Sequence, residues 1–339
     1  MSFFEKKNIT KNDWSKDQIQ KINLKEYEIG CKISKYNYGC MSFCKKINTN
    51  KIFTIKSFKK SMIIDNKLSE HITNEYTNLT QIYHPFICEL KGINCTDPYN
   101  LYFLFEYILG DPLKLFIKKS KKLPLENARF YIASLVTVLD YLHKKNIIHR
   151  DLRPENILIN SDGYIKLTEF TFSKKIKNDL TYSIVGISEY YSPEMIKQSG
   201  YNKSIDFWQL GILLYEMLVG YTPFIDSNPM ELLQKIQKGK ITFPKGINKK
   251  AKLIIKHFLH KDMNKRLGCT KKGIFQILEE PFFDGFDWEG LLRRSLKPPF
   301  IPHINRESYN FKTKFLEDDN YLEQNKVAVP REKDIFYNW

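Results

Sequence analysis

Apolar and polar residues alternate in short runs over the first third of the chain. Between residues 27 and 58, three such runs separated by polar turns read YEIGCKIS, CMSFCKKI and KIFTIKSF. Two more, FICELKGI and NLYFLFEYI, follow a polar segment at 66–81 that has a helical texture. Short apolar runs bounded by turn residues are typical of β-strands. The pattern therefore predicts a small sheet and one helix within about the first 107 residues.

The spacing of the apolar residues lengthens beyond this sheet. Segment 126–145 places them on one broad helical face, and segment 203–220 is apolar nearly all round, so we expect two buried helices. Near the start, residues 12–22 combine an Asn/Asp cap with apolar residues on one side, which predicts a short helix. From residue 286 the chain is rich in proline, charge and aromatics without a strong period, and we expect an extended tail.

Together these elements predict an α+β chain of two lobes, a small β-rich N-lobe and a larger, mainly helical C-lobe, with a cleft between them. We place an N-terminal segment with a short helix at 1–24, the N-lobe at about 25–107 and the C-lobe at about 108–285. Residues 286–339 form the C-terminal tail. A length of 339 residues is enough for one large core or two modest ones.

The charge is the most conspicuous feature of the composition. The 54 basic residues exceed the 38 acidic ones by 16, yet only eight of the 54 are arginine. The lysines are spread through every segment, whereas phosphate and base recognition favours clustered arginine. We therefore interpret the charge as a compositional bias. Nucleic-acid binding is kept only as a minor hypothesis, and no nucleic-acid partner is expected.

Targeting signals and cysteine spacing limit the cellular location that the sequence predicts. No stretch of 18 or more residues is free of charge, so we expect no transmembrane helix and no membrane partner. The start, MSFFEKKNIT, has no apolar run of signal-peptide length, and we expect no secretion. The six cysteines form no CxxC pair and no zinc-type spacing with histidine. We expect a cytoplasmic, or also nuclear, protein with reduced thiols.

The octapeptide HRDLRPEN at 149–156 carries the most chemistry. It follows the first long helix and precedes an apolar ILI run. An Asp and an Asn five residues apart on a tight loop supply a carboxylate that accepts a hydroxyl proton and an amide oxygen that coordinates a metal. This is the catalytic-loop pattern H-R-D-x-x-x-x-N. Through it the chain resembles AGC-type Ser/Thr protein kinases, in particular cAMP-dependent protein kinase catalytic subunits, from about residue 20 onward.

The resemblance implies a bilobal protein-kinase-like fold with ATP and Mg²⁺ as cofactors. In it, Asp151 is the catalytic base, Arg153 faces the transferring phosphoryl group, and Asn156 and Glu169 are metal ligands. Lys56 holds the phosphates and pairs with a helix glutamate. The residues that the resemblance assigns to ATP binding are Gly39, Met41, Thr54, Lys56, Glu75, Glu106, Ile108 and Leu158.

The same resemblance implies an activation segment. Ser183 occupies its phosphorylatable position, and the basic residues expected to bind the phosphate are His71, Arg150 and Lys174. A phosphoserine carries close to two negative charges, so three converging cations would order the segment. The residues with expected structural roles are Glu194, which pairs with Arg266, and Asp206, which braces the catalytic loop.

Substrate and partner expectations also follow from the resemblance. Glu155 and Glu216 match acidic residues that contact a basic side chain before the acceptor, which implies protein substrates with basic residues before Ser/Thr. A cAMP-binding regulatory subunit is a further partner that the resemblance raises. The final residues FYNW place Phe336 and Trp339 three apart, as in a tail motif that docks two aromatics beside the helix carrying Glu75.

Two motifs depart from the family pattern. Glu169-Phe170-Thr171 stands in place of Asp-Phe-Gly, so the metal-binding carboxylate is one methylene longer. The phosphate-covering loop at 34–39 keeps only Gly39 of three expected glycines and adds Tyr36. Two functional hypotheses therefore stay open. One is a Ser/Thr kinase with impaired or unusual activity, and the other is a pseudokinase acting as a regulatory or interaction module.

Overall fold

The structure is a computed structural model that describes residues 19–176, 179–303, 327–337 and 339. These residues form two compact units. The first, here called the sheet unit, comprises the described residues within 15–83, 88–109 and 303–339. The second, the helical unit, comprises those within 84–87 and 110–302. The expected α+β class, with a β-rich part and a mainly helical part, is confirmed.

The sheet unit is built on six strands. They are β1 (Gln20–Lys21), β2 (Tyr27–Tyr36), β3 (Gly39–Lys46), β4 (Ile52–Lys59), β5 (Leu90–Asn94) and β6 (Asn100–Glu106). Their order in the sheet is β1-β5-β6-β4-β3-β2, and all neighbouring strands are antiparallel except the β1–β5 pair. Strands β2 to β6 correspond to the five predicted apolar runs, so those predictions are confirmed.

Two helices accompany the sheet, α1 (Lys60–Asp65) and α2 (Ser69–Gln81). The prediction of a helix reaching residue 22 is wrong, because Gln20–Lys21 form β1 and Ile22 is buried in the sheet's core. The N–H of Ile22 donates to the carbonyl of Ile93 at 2.9 Å. This long-range pairing overrides the local helical pattern. The rest of that predicted helix, residues 12–18, lies outside the described residues.

The helical unit contains eight helices and five short strands among its described residues. The helices are α3 (Leu113–Ser120), α4 (Leu125–Lys144), α5 (Pro193–Ile196), α6 (Ser204–Val219), α7 (Pro229–Lys238), α8 (Lys249–Phe258), α9 (Ile274–Leu278) and α10 (Trp288–Leu292). The strands are β7 (Gly110–Pro112), β8 (Ile147–Ile148), β9 (Ile157–Asn160), β10 (Ile165–Leu167) and β11 (Lys174–Lys175). Strands β10, β9 and β7 form one sheet, and β11 pairs with β8.

The two predicted buried helices are α4 and α6. Every residue of α6 from Ser204 to Leu218 is buried, as an apolar pattern without a polar face requires. The segment from 286, predicted to be extended, instead begins with α10, whose Trp288, Leu291 and Leu292 are buried. In the part of the chain that the structure describes, no helix is both long and apolar enough to cross a bilayer.

The last described residues belong to the sheet unit. The Trp339 ring stacks on Tyr76 of α2 with centroids 4.5 Å apart, and Phe336 is fully buried. The Asp334 carboxylate lies 2.5 Å from the ammonium of Lys60, and both side chains are buried. The Cys95 thiol donates to the Trp339 carbonyl at 3.3 Å. The predicted docking beside α2 is thus confirmed for Trp339, and the Phe336 ring packs edge-on against that indole with centroids 4.9 Å apart.

Candidate active site

The catalytic loop runs from β8 to β9 and is held by two side chains of α6. The Asp206 carboxylate accepts hydrogen bonds from the N–H groups of His149 and Arg150, at 3.0 and 2.8 Å. Gln209 accepts from the N–H of Leu152 at 3.0 Å and donates to the carbonyl of Arg150 at 2.9 Å. Arg150 has a φ of +69°, which is costly for a non-glycine residue. These bonds hold that strained backbone in place.

Asp151 is a buried carboxylate oriented by the amide of the same loop. The Asn156 side-chain nitrogen donates to the Asp151 Oδ2 at 2.6 Å and to its carbonyl oxygen at 2.9 Å. Burial raises the pKa of Asp151 to about 6, although Arg153 and the Asn156 bond act to lower that pKa. A carboxylate with this pKa is ionised at neutral pH and is more basic than an exposed one. The geometry fits a general base.

Asn156 and Glu169, the two residues predicted to hold a metal, both lie in the helical unit. The negative charge of Glu169 contributes to the raised pKa of Asp151. Magnesium is commonly bound through one or two protein carboxylates, with waters and phosphates completing the octahedron. The amide of Asn156 and the carboxylate of Glu169 fit that donor set. Among the described residues, no cluster of three His, Cys, Asp or Glu side chains could hold a metal alone.

The backbone at the Glu169-Phe170-Thr171 motif carries a strained residue. Glu169 has a φ of +57°, in the left-handed region that non-glycine residues rarely adopt. The Phe170 ring is buried and meets the His149 ring edge-on at 4.8 Å. Burial also lowers the pKa of His149, so this imidazole is neutral at physiological pH. The motif is therefore fixed by packing onto the catalytic loop.

Lys56 and Glu75 form a buried ion pair in the sheet unit. The Lys56 ammonium donates to the Glu75 Oε1 at 2.9 Å, and each side chain is 1% exposed. Lys56 comes from β4 and Glu75 from α2, so the pair ties the helix to the sheet. The structure thus places together the two residues that the resemblance paired.

Aromatic rings occupy the region where the phosphate-covering loop was expected. The Tyr36 ring stacks on Tyr38 with centroids 5.9 Å apart, and Tyr38 stacks on Phe58 at 6.1 Å. The Lys56 ammonium lies over the rings of Tyr36 and Phe58, at 5.3 and 5.2 Å from their centroids. Gly39 packs so closely on the backbone of Ser57 that a side chain there would clash. We call these three rings, of Tyr36, Tyr38 and Phe58, the aromatic stack.

Three of the remaining residues assigned to ATP binding, Met41, Thr54 and Glu106, lie on neighbouring strands of the sheet unit. Met41 on β3 is the cross-strand partner of Lys56, and Thr54 on β4 is that of Phe105 on β6. The Thr54 hydroxyl donates to the Glu106 carbonyl at 3.4 Å. Two further members of the set are Ile108, buried in the sheet unit, and Leu158, on β9 of the helical unit.

Ser183 is exposed and lies next to a buried cation. Arg150, which is 1% exposed, donates to the Ser183 hydroxyl at 2.8 Å and to the Tyr201 hydroxyl at 3.1 Å. Tyr201 in turn donates to the Ser183 carbonyl at 2.6 Å. Lys174 lies on β11, and His71 lies on α2 in the sheet unit. The roles of these last two at the phosphosite stay predictions.

The Glu194–Arg266 pair anchors the segment that follows Ser183. The Arg266 guanidinium binds both carboxylate oxygens of Glu194, at 2.6 and 2.9 Å, and also donates to the carbonyl of Ser204. Burial alone would raise the pKa of Glu194, but the bonds from Arg266 lower that pKa overall. The arginine also lies over the Trp208 ring at 5.1 Å. A bidentate, fully buried pair of this kind fixes orientation.

The two carboxylates assigned to substrate binding already have partners. Lys114 on α3 donates to the Glu216 Oε1 at 2.8 Å and lies 3.6 Å from the Glu155 Oε1. Arg153 lies 3.2 Å from the other oxygen of Glu155. Sequence reasoning missed Lys114, because a single lysine in a lysine-rich chain gives no signal. It also missed Gln209, although its spacing of three from Asp206 places both on one face of α6.

The fold and these motifs define a protein kinase. Residues 27–283 match the family described as Protein kinase domain, and the chain belongs to that family. Its catalytic loop, its buried lysine–glutamate pair and its arginine–glutamate anchor all occur within the matched range.

Within that family the chain is similar to cAMP-dependent protein kinases of the AGC group. It is 35% identical over 319 residues to cAMP-dependent protein kinase catalytic subunit 3 of Drosophila melanogaster, covering 94% of this chain and 54% of that protein. It is 36% identical over 301 residues to the cAMP-dependent protein kinase catalytic subunit of Dictyostelium discoideum, covering 89% and 46%. It is also 36% identical over 293 residues to the human cAMP-dependent protein kinase catalytic subunit PRKX, covering 86% and 81%. The chain thus spans about half the length of the first two relatives.

Proposed function

We propose that this protein is a serine/threonine protein kinase that transfers the γ-phosphoryl group of ATP to protein substrates, with slow or unusual turnover. The observation that carries this proposal is the catalytic loop, where Asp151 is oriented by Asn156 and has a pKa of about 6. The position and protonation of this carboxylate match what a general base needs. The intact bracing by Asp206 and Gln209 supports the same conclusion.

ATP and Mg²⁺ are the cofactors that the residues fit. Lys56, held by Glu75, would bind phosphate oxygens, while Asn156 and Glu169 would hold Mg²⁺. Bound magnesium would neutralise charge on the phosphates during transfer. Asp151 would accept the proton of the substrate hydroxyl, and Arg153 would supply positive charge beside the same loop.

The substrates and partners follow the same reasoning. We expect protein substrates with basic residues before the acceptor, served by Glu155 and Glu216. A cAMP-binding regulatory subunit remains a candidate partner, and a cytoplasmic, or also nuclear, location remains the expectation from the sequence. Phosphorylation of Ser183 would place a dianion against the Arg150 guanidinium, which already contacts its hydroxyl. Such charge-assisted bonds order activation segments.

The decisive experiment measures transfer of labelled phosphate from Mg-ATP to a basic serine peptide. The Asp151→Asn variant keeps the shape of the loop but removes the base, and we expect its rate to fall about 10²- to 10⁴-fold. The matched control is Asp284→Asn, because Asp284 is an exposed carboxylate of the same unit with 63% of its side chain accessible. Equal rates for the wild type and Asp151→Asn would contradict the proposal.

A pseudokinase is the second candidate, and the aromatic stack is the observation that favours it. Rings of Tyr36 and Phe58 lie against the ammonium that should bind phosphate. A thermal-shift titration separates the two functions, because a ligand that binds only the native state raises its melting temperature. A rise with ATP that requires Mg²⁺ would support the kinase. No response to ATP in either condition would support the pseudokinase.

A further inference from the structure

The carboxylates of Glu155 and Glu216 are satisfied from inside the protein. The Glu216 Oε1 accepts from Lys114 at 2.8 Å, and its Oε2 accepts from the Tyr190 hydroxyl at 2.5 Å. The Glu155 Oε1 lies 3.6 Å from Lys114, and its Oε2 accepts from Arg153 at 3.2 Å. All four carboxylate oxygens therefore face an internal cation or donor. A basic side chain of a bound peptide therefore approaches two glutamates, Glu155 and Glu216, that already have partners.

The charges of this group cancel. Two carboxylates, Glu155 and Glu216, are matched by two cations, Lys114 and Arg153, while Tyr190 contributes a neutral hydroxyl. Burial and the Glu216 charge raise the pKa of Tyr190 well above its ordinary value, so this hydroxyl keeps its proton at neutral pH. The group therefore presents no net negative charge. An incoming arginine or lysine is consequently attracted only weakly.

Within this group, Lys114 is the residue whose side chain is able to move away from the two glutamates. Its backbone is fixed, because Leu113 and Ile117 of α3 are buried. Its side chain is 45% exposed, whereas that of Glu216 is 3% exposed. Lysine is a point charge on a flexible stem, so it swings into solvent at small cost. Once it does so, a carboxylate pair with one uncompensated charge remains.

We propose that Lys114 is a specificity-determining residue that occupies the position of a substrate's basic side chain at Glu155 and Glu216. This inference rests on the proposed kinase function and deepens it by naming what controls peptide choice at this subsite. A substrate arginine gains its bonds to the two glutamates only by displacing the Lys114 ammonium. The wild-type protein therefore prefers a basic residue at this subsite only weakly, and loss of the Lys114 charge creates a strong preference.

The experiment compares peptides in which a single arginine or alanine occupies each of the five positions before the acceptor serine. The variant is Lys114→Met, which keeps the apolar stem and removes the charge. At one of these positions, we expect Lys114→Met to favour the arginine peptide over the alanine peptide in kcat/KM about tenfold more than the wild type does. A factor of ten is the equivalent of one charge-assisted hydrogen bond. Lys118→Met is the matched control, because Lys118 is an exposed lysine one turn further along α3.

A binding measurement keeps this test independent of phosphotransfer. The same peptides, carrying a fluorescent label and alanine in place of the acceptor serine, are titrated with the 339-residue chain and with both variants. A gain for arginine that appears with Lys114→Met and not with Lys118→Met supports the inference, even if no variant transfers phosphate. Absence of any such gain overturns it. A wild-type preference for arginine that Lys114→Met weakens would likewise overturn it.

Discussion

Lys56–Glu75 in the sheet unit and Arg266–Glu194 in the helical unit are both buried ion pairs, yet they are built differently. Arg266 binds both oxygens of its carboxylate, donates to the carbonyls of Ser204 and His260, and lies over an indole ring. Lys56 reaches Glu75 through one ammonium nitrogen and lies against aromatic faces. The arginine pair is fixed in geometry, whereas the lysine pair presents a point charge.

The difference teaches which pair is able to exchange its partner. A guanidinium with a planar fork loses several bonds at once if it moves, so Arg266 is suited to hold structure. An ammonium has three rotatable donors and no directional plane, so Lys56 is suited to keep Glu75 while it binds the phosphate oxygen that the proposed function requires. The same comparison predicts that the two units respond differently to loss of a cation.

The largest effect is expected for Arg266→Met. Removal of the guanidinium leaves the Glu194 carboxylate buried and unpaired, which costs about 3–5 kcal/mol of unfolding free energy. Two backbone carbonyls also lose their donor, so the loss should exceed that of Lys56→Met by at least about 1 kcal/mol. Urea unfolding of both variants measures the two losses.

The control for this pair is Arg293→Met, which removes an exposed arginine from a surface pair with Glu289. Its cost is expected to stay below about 1 kcal/mol. Equal losses for Arg266→Met and Lys56→Met would break the comparison between the units.

Asp151 adds a third buried ionisable group to the comparison of the two ion pairs. Burial favours its neutral, protonated form. The rise of its pKa from 3.8 to about 6 means that the folded state binds this proton more tightly than the unfolded state does. The resulting stability is fully present below pH 3.8 and is lost as the pH rises through 6. At 1.36 kcal/mol per pH unit, the ionised carboxylate costs about 3 kcal/mol at pH 8.

Asp151→Asn should therefore stabilise the protein at pH 8, by up to about 3 kcal/mol, while it abolishes the base. The gain should shrink toward zero as the pH falls to 4, because the wild-type carboxyl is then protonated. Urea unfolding at pH 4, 6 and 8 measures this dependence, with the exposed-site variant Asp284→Asn as reference. A gain that does not change with pH would argue against a raised pKa.

A smaller loss is expected for Gln209→Ala in the helical unit. It leaves the N–H of Leu152 and the carbonyl of Arg150 without their side-chain partner in a buried loop, at a cost of about 1–3 kcal/mol. Gln234→Ala on α7 is the matched control, since Gln234 is exposed, and it should change stability little. If both variants unfold at the same urea concentration, Gln209 does not brace the loop.

The smallest effect concerns the sheet unit. Tyr36→Gly removes one ring of the aromatic stack from the Lys56 ammonium and restores a glycine to the loop. Because a cation–π contact contributes about 0.5–1 kcal/mol, we expect ATP to bind about two- to fivefold more tightly. Tyr36→Phe keeps the ring and should bind ATP as the wild type does. Titration with a fluorescent ATP analogue distinguishes them, and identical affinities would show that Tyr36 does not limit binding.

The sequence predicted those features that depend on local pattern or on a motif of fixed spacing. The five apolar runs became strands β2 to β6, and the long apolar segments became α4 and α6, because each buries a face that its own period defines. The spacing of five between Asp151 and Asn156 also predicted a shared site correctly, because the Asn156 amide donates to the Asp151 carboxylate.

The remaining features depend on contacts between distant residues, which no local pattern encodes. Gln20 and Lys21 pair with Gly92 and Ile93, so a strand forms where a helix was predicted. Lys114 meets Glu216 across 102 residues, so its effect on a predicted substrate subsite appeared only in three dimensions. The substituted loop was recognised as a departure, but the stacking of Tyr36 on Tyr38 and of Tyr38 on Phe58 was not foreseen.

The bond between Lys60 and Asp334 has a consequence for synthesis on the ribosome. It joins residues 274 positions apart, and the Cys95–Trp339 contact spans 244. Chains elongate at about 5–20 residues per second. About 15–55 s therefore pass between the synthesis of Lys60 and that of Asp334. During that interval Lys60 and the Tyr76 ring lack their final partners. The packing of the sheet unit is therefore complete only once Asp334 and Trp339 have been synthesised.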